Sequence, residues 1–193
     1  MISPRSFITG IKGTKLSNYE IKFLKKYKPW GIILFDRNLK KISQIKKLTN
    51  HIKKIFKDRK YPIMIDQEGG RVNRLSKIIS LNFLTSEYFG KLFIKDKIQF
   101  NLIYNLFIDK ISYLLFELGI NINTVPVLDL CVQGSSNIIG DRSYSKNPIV
   151  VSQIGDICIK NFKNNSIGTV IKHIPGHGLA KVDSHHFTPF VNK

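Results

Sequence analysis

The chain has 193 residues, 42% of them hydrophobic, enough for one domain with its own core over 1–193, and no Pro/Gly/Ser-rich linker or fixed-period repeat divides it. The formal net charge is +18, but six of the 31 basic residues are Arg and the other 25 are Lys, spread along the polar faces of apparent helices, as at Lys40, Lys41, Lys46, Lys47, Lys53 and Lys54. No RNA-binding aromatic signature, zinc-finger spacing or basic zipper accompanies them, so the charge describes a solvated surface and argues against nucleic acid as a partner.

Phe7 to Gly10 is a candidate first strand. Ser17 to Tyr27 reads as a helix: Ser17 can cap it, with Glu20 at the capping-box spacing, and Ile21, Phe23, Leu24 and Tyr27 give an apolar face. Gly31 to Phe35 is a continuous apolar strand of the kind buried on both faces. From about Lys41 to Phe56, Ile42, Ile45, Leu48, Thr49, Ile52 and Ile55 recur at helical spacing, with Lys opposite. Tyr61 to Ile65 is a third strand, ending at Asp66, and Leu75 to Gly90 is irregular. Lys97 to Leu118 reads as a long amphipathic helix closed by Gly119. Thr124 to Leu128 is a fourth strand ending at Asp129, although its Pro126 cannot donate to a ladder. Asn147-Pro148 opens a helix to about Phe162, and Gly168 to Lys172 is a fifth strand.

Strand and helix alternate about five times, which means an α/β protein with a parallel sheet. No glycine-rich phosphate-binding turn follows the first strand, which weakens an open dinucleotide-binding sheet. Polar residues instead collect where separate strands end, at Asp66, Asp129, Lys172 and His173, as in a (β/α)8 TIM-type barrel. No stretch approaches the ~18 apolar residues of a membrane span, and the N-terminus has no signal-type apolar region. Cys131 and Cys158 match no metal spacing and make no disulfide framework. A cytoplasmic protein without a membrane partner is expected.

Three segments carry chemistry. Asp66 to Arg74 packs two acids, two glycines and two arginines into nine residues, where carboxylates can accept sugar hydroxyls and Arg74 offers a planar fork; a plain acidic turn is the alternative. Arg142 stands in a turn from Ile139 to Tyr144, in a chain that otherwise favours Lys. Lys172 to His186 holds four of the five histidines. Asp183 and His185, two apart, share a face of an extended segment, so the carboxylate can orient an imidazole suited to proton transfer. Two other readings stay open: a metal site of His173, His177, Asp183 and His185, whose spacing matches no usual zinc motif, and a histidine-rich surface loop.

Together, Gly31 to Asn38 (GIILFDRN), Ile65 to Leu75 (IDQEGGRVNRL), Pro126 to Leu130 (PVLDL), Ile139 to Tyr144 (IGDRSY) and Lys172 to Pro189 (KHIPGHGLAKVDSHHFTP) resemble family-three glycoside hydrolases, specifically the single-domain bacterial β-N-acetylglucosaminidases of cell-wall recycling. The resemblance implies that Asp66, Arg74, Arg142, Lys172 and His173 hold a terminal N-acetylglucosamine, that His185 is the general acid/base, and that Asp183 orients it. It implies a retaining mechanism through a covalent glycosyl-enzyme, no metal or organic cofactor, and an N-acetylglucosamine-containing muropeptide or anhydro-disaccharide as substrate. The family's nucleophilic Asp belongs to a motif downstream of the histidine loop, and that motif is expected to be missing from these 193 residues. The barrel is accordingly expected to be incomplete, holding about the first five β/α units, with open edge strands. The chain then needs a separate C-terminal half for hydrolysis, or acts as an inactive fragment or a sugar-binding protein.

Overall fold

A computed structural model describes residues 5–132, 137–183 and 186–190. Strand β1 (Arg5–Gly10) leads into helix α1 (Asn18–Tyr27), whose start is fixed by the expected capping box. There Ser17 Oγ accepts from the Glu20 N–H at 3.2 Å, and the Glu20 carboxylate accepts from the Ser17 N–H at 2.8 Å. The apolar run forms β2 (Pro29–Leu34), and the isoleucine periodicity forms α2 (Ile42–Phe56), which buries Ile45, Leu48, Thr49 and Ile52. Strand β3 (Ile63–Ile65) is wholly buried and passes directly into an antiparallel hairpin, β4 (Gln67–Gly69) with β5 (Val72–Asn73). Helices α3 (Ser86–Lys95) and α4 (Lys97–Glu117), strand β6 (Ile122–Asn123), helix α5 (Pro148–Asn164) and strand β7 (Gly168–Thr169) complete the order.

The five longer-range strands lie side by side as β1-β2-β3-β6-β7, and every pairing is parallel. Each new strand is added on the same side as the chain proceeds. A doubly wound sheet reverses at a switch point; this one does not, which is the winding of a barrel. Among the described residues β1 and β7 each pair on one side only. The core joins Ile32, Leu34, Ile63 and Ile65 of the strands to Ile45, Ile52, Ile108, Ile111, Leu115 and Ile154 of the helices, all fully buried. Phe89, Phe100 and Tyr104 stack beside it, with the Phe89–Tyr104 and Phe100–Tyr104 ring centroids 4.7 and 4.9 Å apart.

Three local readings change. Part of the stretch expected to be irregular is the start of α3: Thr85 Oγ1 caps the Tyr88 N–H at 3.0 Å, and Phe89, Leu92 and Phe93 bury one face. Helix α4 buries Phe100, Tyr104, Ile108, Ile111 and Leu115, but Ile98, Leu102, Leu106, Tyr113 and Phe116 stand exposed, so its apolar residues are not confined to one face. The fourth strand, expected over Thr124–Leu128, is instead regular just before that range, at Ile122–Asn123, and the fifth is regular only over Gly168–Thr169. Beyond Pro126, which has no N–H, pairing survives as Leu128 N to Lys172 O at 2.7 Å and Lys172 N to Pro126 O at 3.2 Å. These bonds keep Lys172 beside the end of the fourth strand. No described helix is long and apolar enough to cross a membrane.

Candidate active site

A cavity of about 470 Å³ lies where the strands end, with Asp66, Glu68, Arg74, Thr124, Arg142, Lys172, His173 and His177 in its lining. Asp66 stands directly after β3, and the hairpin carries Glu68 inward until only 3% of its side chain is exposed. The hairpin turn presses on the next segment: a Cβ at Gly69, whose φ is +102°, would meet Leu84 O at 2.3 Å, so only glycine fits there.

Lys172 is the hub. Its Nζ lies 2.6 Å from Glu68 Oε1, 3.2 Å from Asp66 Oδ1 and 3.1 Å from Thr124 Oγ1, and the Thr124 hydroxyl donates to Asp66 in turn. Arg142 grips the same Glu68 as a fork, Nε to Oε2 at 2.8 Å and Nη2 to Oε1 at 2.9 Å. The turn that presents Arg142 is tied down by Arg71, which donates to Asp141 Oδ1 at 2.8 Å and to the carbonyls of Asn137, Ile138 and Ile139. Arg74 lies 3.6 Å from both Asp66 and Asp36, and its buried Nε has no partner among the described residues.

Asp129 organises the other wall. Its side chain is fully buried; Oδ2 meets His173 Nδ1 at 2.6 Å and the His173 N–H at 3.2 Å, while Oδ1 accepts the His177 N–H. A carboxylate at Nδ1 selects the tautomer protonated there and leaves Nε2 for a ligand. Both ring nitrogens of His177 are buried without a partner among the described residues.

The charges hold one another ionised. Burial by itself raises the Asp66 carboxyl, but Lys172, Thr124 and Arg74 outweigh it and keep Asp66 below its ordinary range. Burial likewise raises Glu68, and Arg142 with Lys172 brings it below. Burial raises Asp129 too, and His173 with the His177 N–H lowers it. Arg142, which burial would lower, is raised overall by Glu68.

Asp66, Arg142, Lys172 and His173, expected to act together, do converge, with Arg74 at the rim of the group. Asp183 closes a turn farther along the loop, its carbonyl accepting from the N–H groups of His186 and Phe187 at 3.1 and 2.9 Å. His185 lies outside the described residues. Among the described residues no three His, Cys, Asp or Glu side chains come together as a metal site, and His185, one of the four residues of the metal reading, is not among them. Residue types alone do not single out Glu68 or Thr124 as site residues, and Asp129 stands out only as a strand-end residue, without its role in holding His173 and His177. A usable signal existed for Glu68: two positions after Asp66, it falls on the same face of an extended chain.

The model of the glycosyl hydrolase family 3 N-terminal domain matches residues 5–193. Beta-hexosaminidase A of Pseudoalteromonas piscicida is 33% identical over 175 residues, covering 89% of this chain and 29% of that protein. The beta-hexosaminidase of Hydrogenovibrio crunogenus is 32% identical over 160 residues, covering 80% and 43%. Native NagZ from Neisseria gonorrhoeae superposes with a TM-score of 0.86 at 31% identity, covering 96% of this chain and 54% of that one; NagZ in complex with N-trifluoroacetyl-D-glucosamine gives 0.85. This chain therefore spans roughly half, or less, of the length of these relatives. One-directional winding, a polar cluster at the strand ends and a match running from Arg5 onward lead to one conclusion: the chain belongs to the glycosyl hydrolase family 3 N-terminal domain family and carries its TIM-type α/β barrel fold, of which five parallel strands are seen among the described residues.

Proposed function

We propose that this chain supplies the sugar-holding and acid/base side of a retaining β-N-acetylhexosaminidase that removes terminal, non-reducing N-acetyl-β-D-glucosamine from peptidoglycan fragments (muropeptides or an anhydro-disaccharide) in the cytoplasm. The observation that carries this reading is the convergence of Asp66, Arg142, Lys172 and His173 on one cavity, in a chain that superposes on a protein solved with an N-acylglucosamine derivative. Asp66 accepts sugar hydroxyls, and Lys172, Arg74 and His173 supply the opposing hydrogen-bond partners. Protonated His185, oriented by Asp183, gives its proton to the glycosidic oxygen as a carboxylate attacks the anomeric carbon. The imidazole then takes a proton from the water that hydrolyses the glycosyl-enzyme.

That nucleophile is assigned outside this cluster. Asp66, Glu68 and Asp129 are each engaged by Lys172, Arg142, Arg74 or His173, and a carboxylate so held is a poor attacking group. The 193-residue chain by itself therefore fits sugar binding without turnover. The test is release of a fluorescent aglycone from an N-acetyl-β-glucosaminide, by the chain alone and by the chain joined to the rest of a family barrel. We expect no release by the first. We expect activity from the second, falling about 10²–10⁴-fold in His185→Ala. Release by the joined protein that is unchanged in His185→Ala contradicts the reading.

A further inference from the structure

Glu68 has no assigned part in holding the sugar, yet two cations pair it at short range. Arg142 binds both its oxygens, at 2.8 and 2.9 Å, and Lys172 Nζ lies 2.6 Å from one of them. The two cations are themselves sequestered, with side-chain exposures of 14% for Arg142 and 13% for Lys172. In the lining, Asp66 and Glu68 face Arg74, Arg142 and Lys172, two carboxylates to three cations. Remove the charge of Glu68 and the excess of positive charge grows, concentrated on a guanidinium and an ammonium that share its Oε1.

Such a pair is what a phosphate or carboxylate seeks: a planar fork with a point charge beside it, both largely out of water. A buried cation that loses its counter-ion draws in another anion to recover the lost interaction. We propose that Glu68 is a specificity-determining residue that occupies, from within the protein, the seat between Arg142 and Lys172 that an anionic ligand would otherwise take, and so reserves the cavity for neutral sugars. This rests on reading the cavity as a sugar site. An acidic or phosphorylated sugar whose charge is directed there meets a fixed carboxylate already satisfied at hydrogen-bond distance, and must displace or repel it.

The experiment titrates inorganic phosphate, at constant ionic strength, into the 193-residue chain by calorimetry. Wild type is compared with Glu68→Gln, which removes the charge at nearly constant size, and with Glu68→Asp, which keeps it. We expect Glu68→Gln to bind phosphate at least about tenfold more tightly than wild type, Glu68→Asp to resemble wild type, and Glu68→Gln/Lys172→Met to lose the gain. A folded Glu68→Gln that binds phosphate no better than wild type overturns the proposal; so does a gain that survives removal of Lys172, which would place the anion elsewhere on a highly basic surface. Should Glu68→Gln fail to fold, wild type still decides: binding N-acetylglucosamine 6-phosphate as tightly as N-acetylglucosamine overturns the proposal, and at least about tenfold weaker binding supports it. If wild type binds no N-acetylglucosamine at all, the sugar reading fails, while the phosphate comparison still reports on Glu68.

Discussion

The two walls of the cavity are built differently. One wall, made of Asp66, Glu68, Arg142 and Lys172, is held by side chain meeting side chain, rooted at strand ends and a hairpin, with exposures from 3% to 19%. The other is the loop after β7. Asp129 ties its root through His173 and His177, but Ile174, Leu179, Phe187 and Phe190 farther along are 59% to 83% exposed. The first wall is pre-organised: its donors and acceptors are fixed before a sugar arrives, so binding need not reorganise them. Among the described residues of the loop Gly178 and Ala180 are buried, but most others are at least partly exposed, so fewer buried contacts hold that wall than the first. The division suits the proposed chemistry, in which one side must hold the sugar still while the other brings a proton to it and carries one away.

The sharpest way to break the comparison is to cut the first wall. Arg142→Ala strands Glu68, buried to 3% exposure, with Lys172 as its remaining cation. The expected loss is about 3–5 kcal/mol of unfolding free energy, the cost of removing one partner from a buried pair, measured by urea denaturation. A loss below about 1 kcal/mol would mean the wall is not held as described.

Acid attacks the same wall through its carboxyls. Asp66, Glu68 and Asp129 are all held below their ordinary range in the folded chain, so the unfolded chain binds more protons around pH 4. Their stabilisation is complete above the unfolded values and is lost as the pH falls through the depressed folded ones. Unfolding free energy, measured from pH 6 down to pH 3, is expected to fall as these carboxyls take up protons. Asp129→Asn should flatten the slope. A flat wild-type profile contradicts the assignment.

At neutral pH, Asp129→Asn also loosens His173. Sugar affinity, read by calorimetry, is expected to fall about tenfold, the worth of one charge-assisted hydrogen bond. The smallest effects belong to the outer loop: Leu179→Ala and Phe187→Ala, at 59% and 67% exposure, are expected to shift stability by no more than about 0.5 kcal/mol.

Much of this is legible in the sequence. The Ser17–Glu20 capping box and the isoleucine period of α2 are local signals, and local hydrogen bonds and one-sided burial realise them directly. Asp66, Lys172 and His173 could be anticipated because strand ends in a barrel point to one place. What stayed hidden depends on contacts distant in sequence. Glu68 and Arg142 are 74 positions apart, and nothing local says that one carboxylate will serve two cations. Asp129 was visible as a strand end, but its hold on two backbone N–H groups requires the loop to fold back over it. Helix α3 was missed because the stretch before it is irregular, although Thr85 with Phe89, Leu92 and Phe93 has helical spacing. Helix α4 is legible as a helix, but the exposed Ile98, Leu102, Leu106, Tyr113 and Phe116 depart from the amphipathic pattern expected of it.

The central claim is that sugar binding resides in the ion-paired wall together with His173 at the root of the loop, and does not depend on the acid/base residue His185. Calorimetric titration of N-acetylglucosamine into the 193-residue chain tests it most directly, with Lys172→Met and His185→Ala beside wild type and folding checked by circular dichroism. The account predicts binding by wild type, retention within about twofold in His185→Ala, and loss in folded Lys172→Met, in line with removal of a charged hydrogen-bonding partner. Equal loss in both variants, or no binding by wild type, would contradict it.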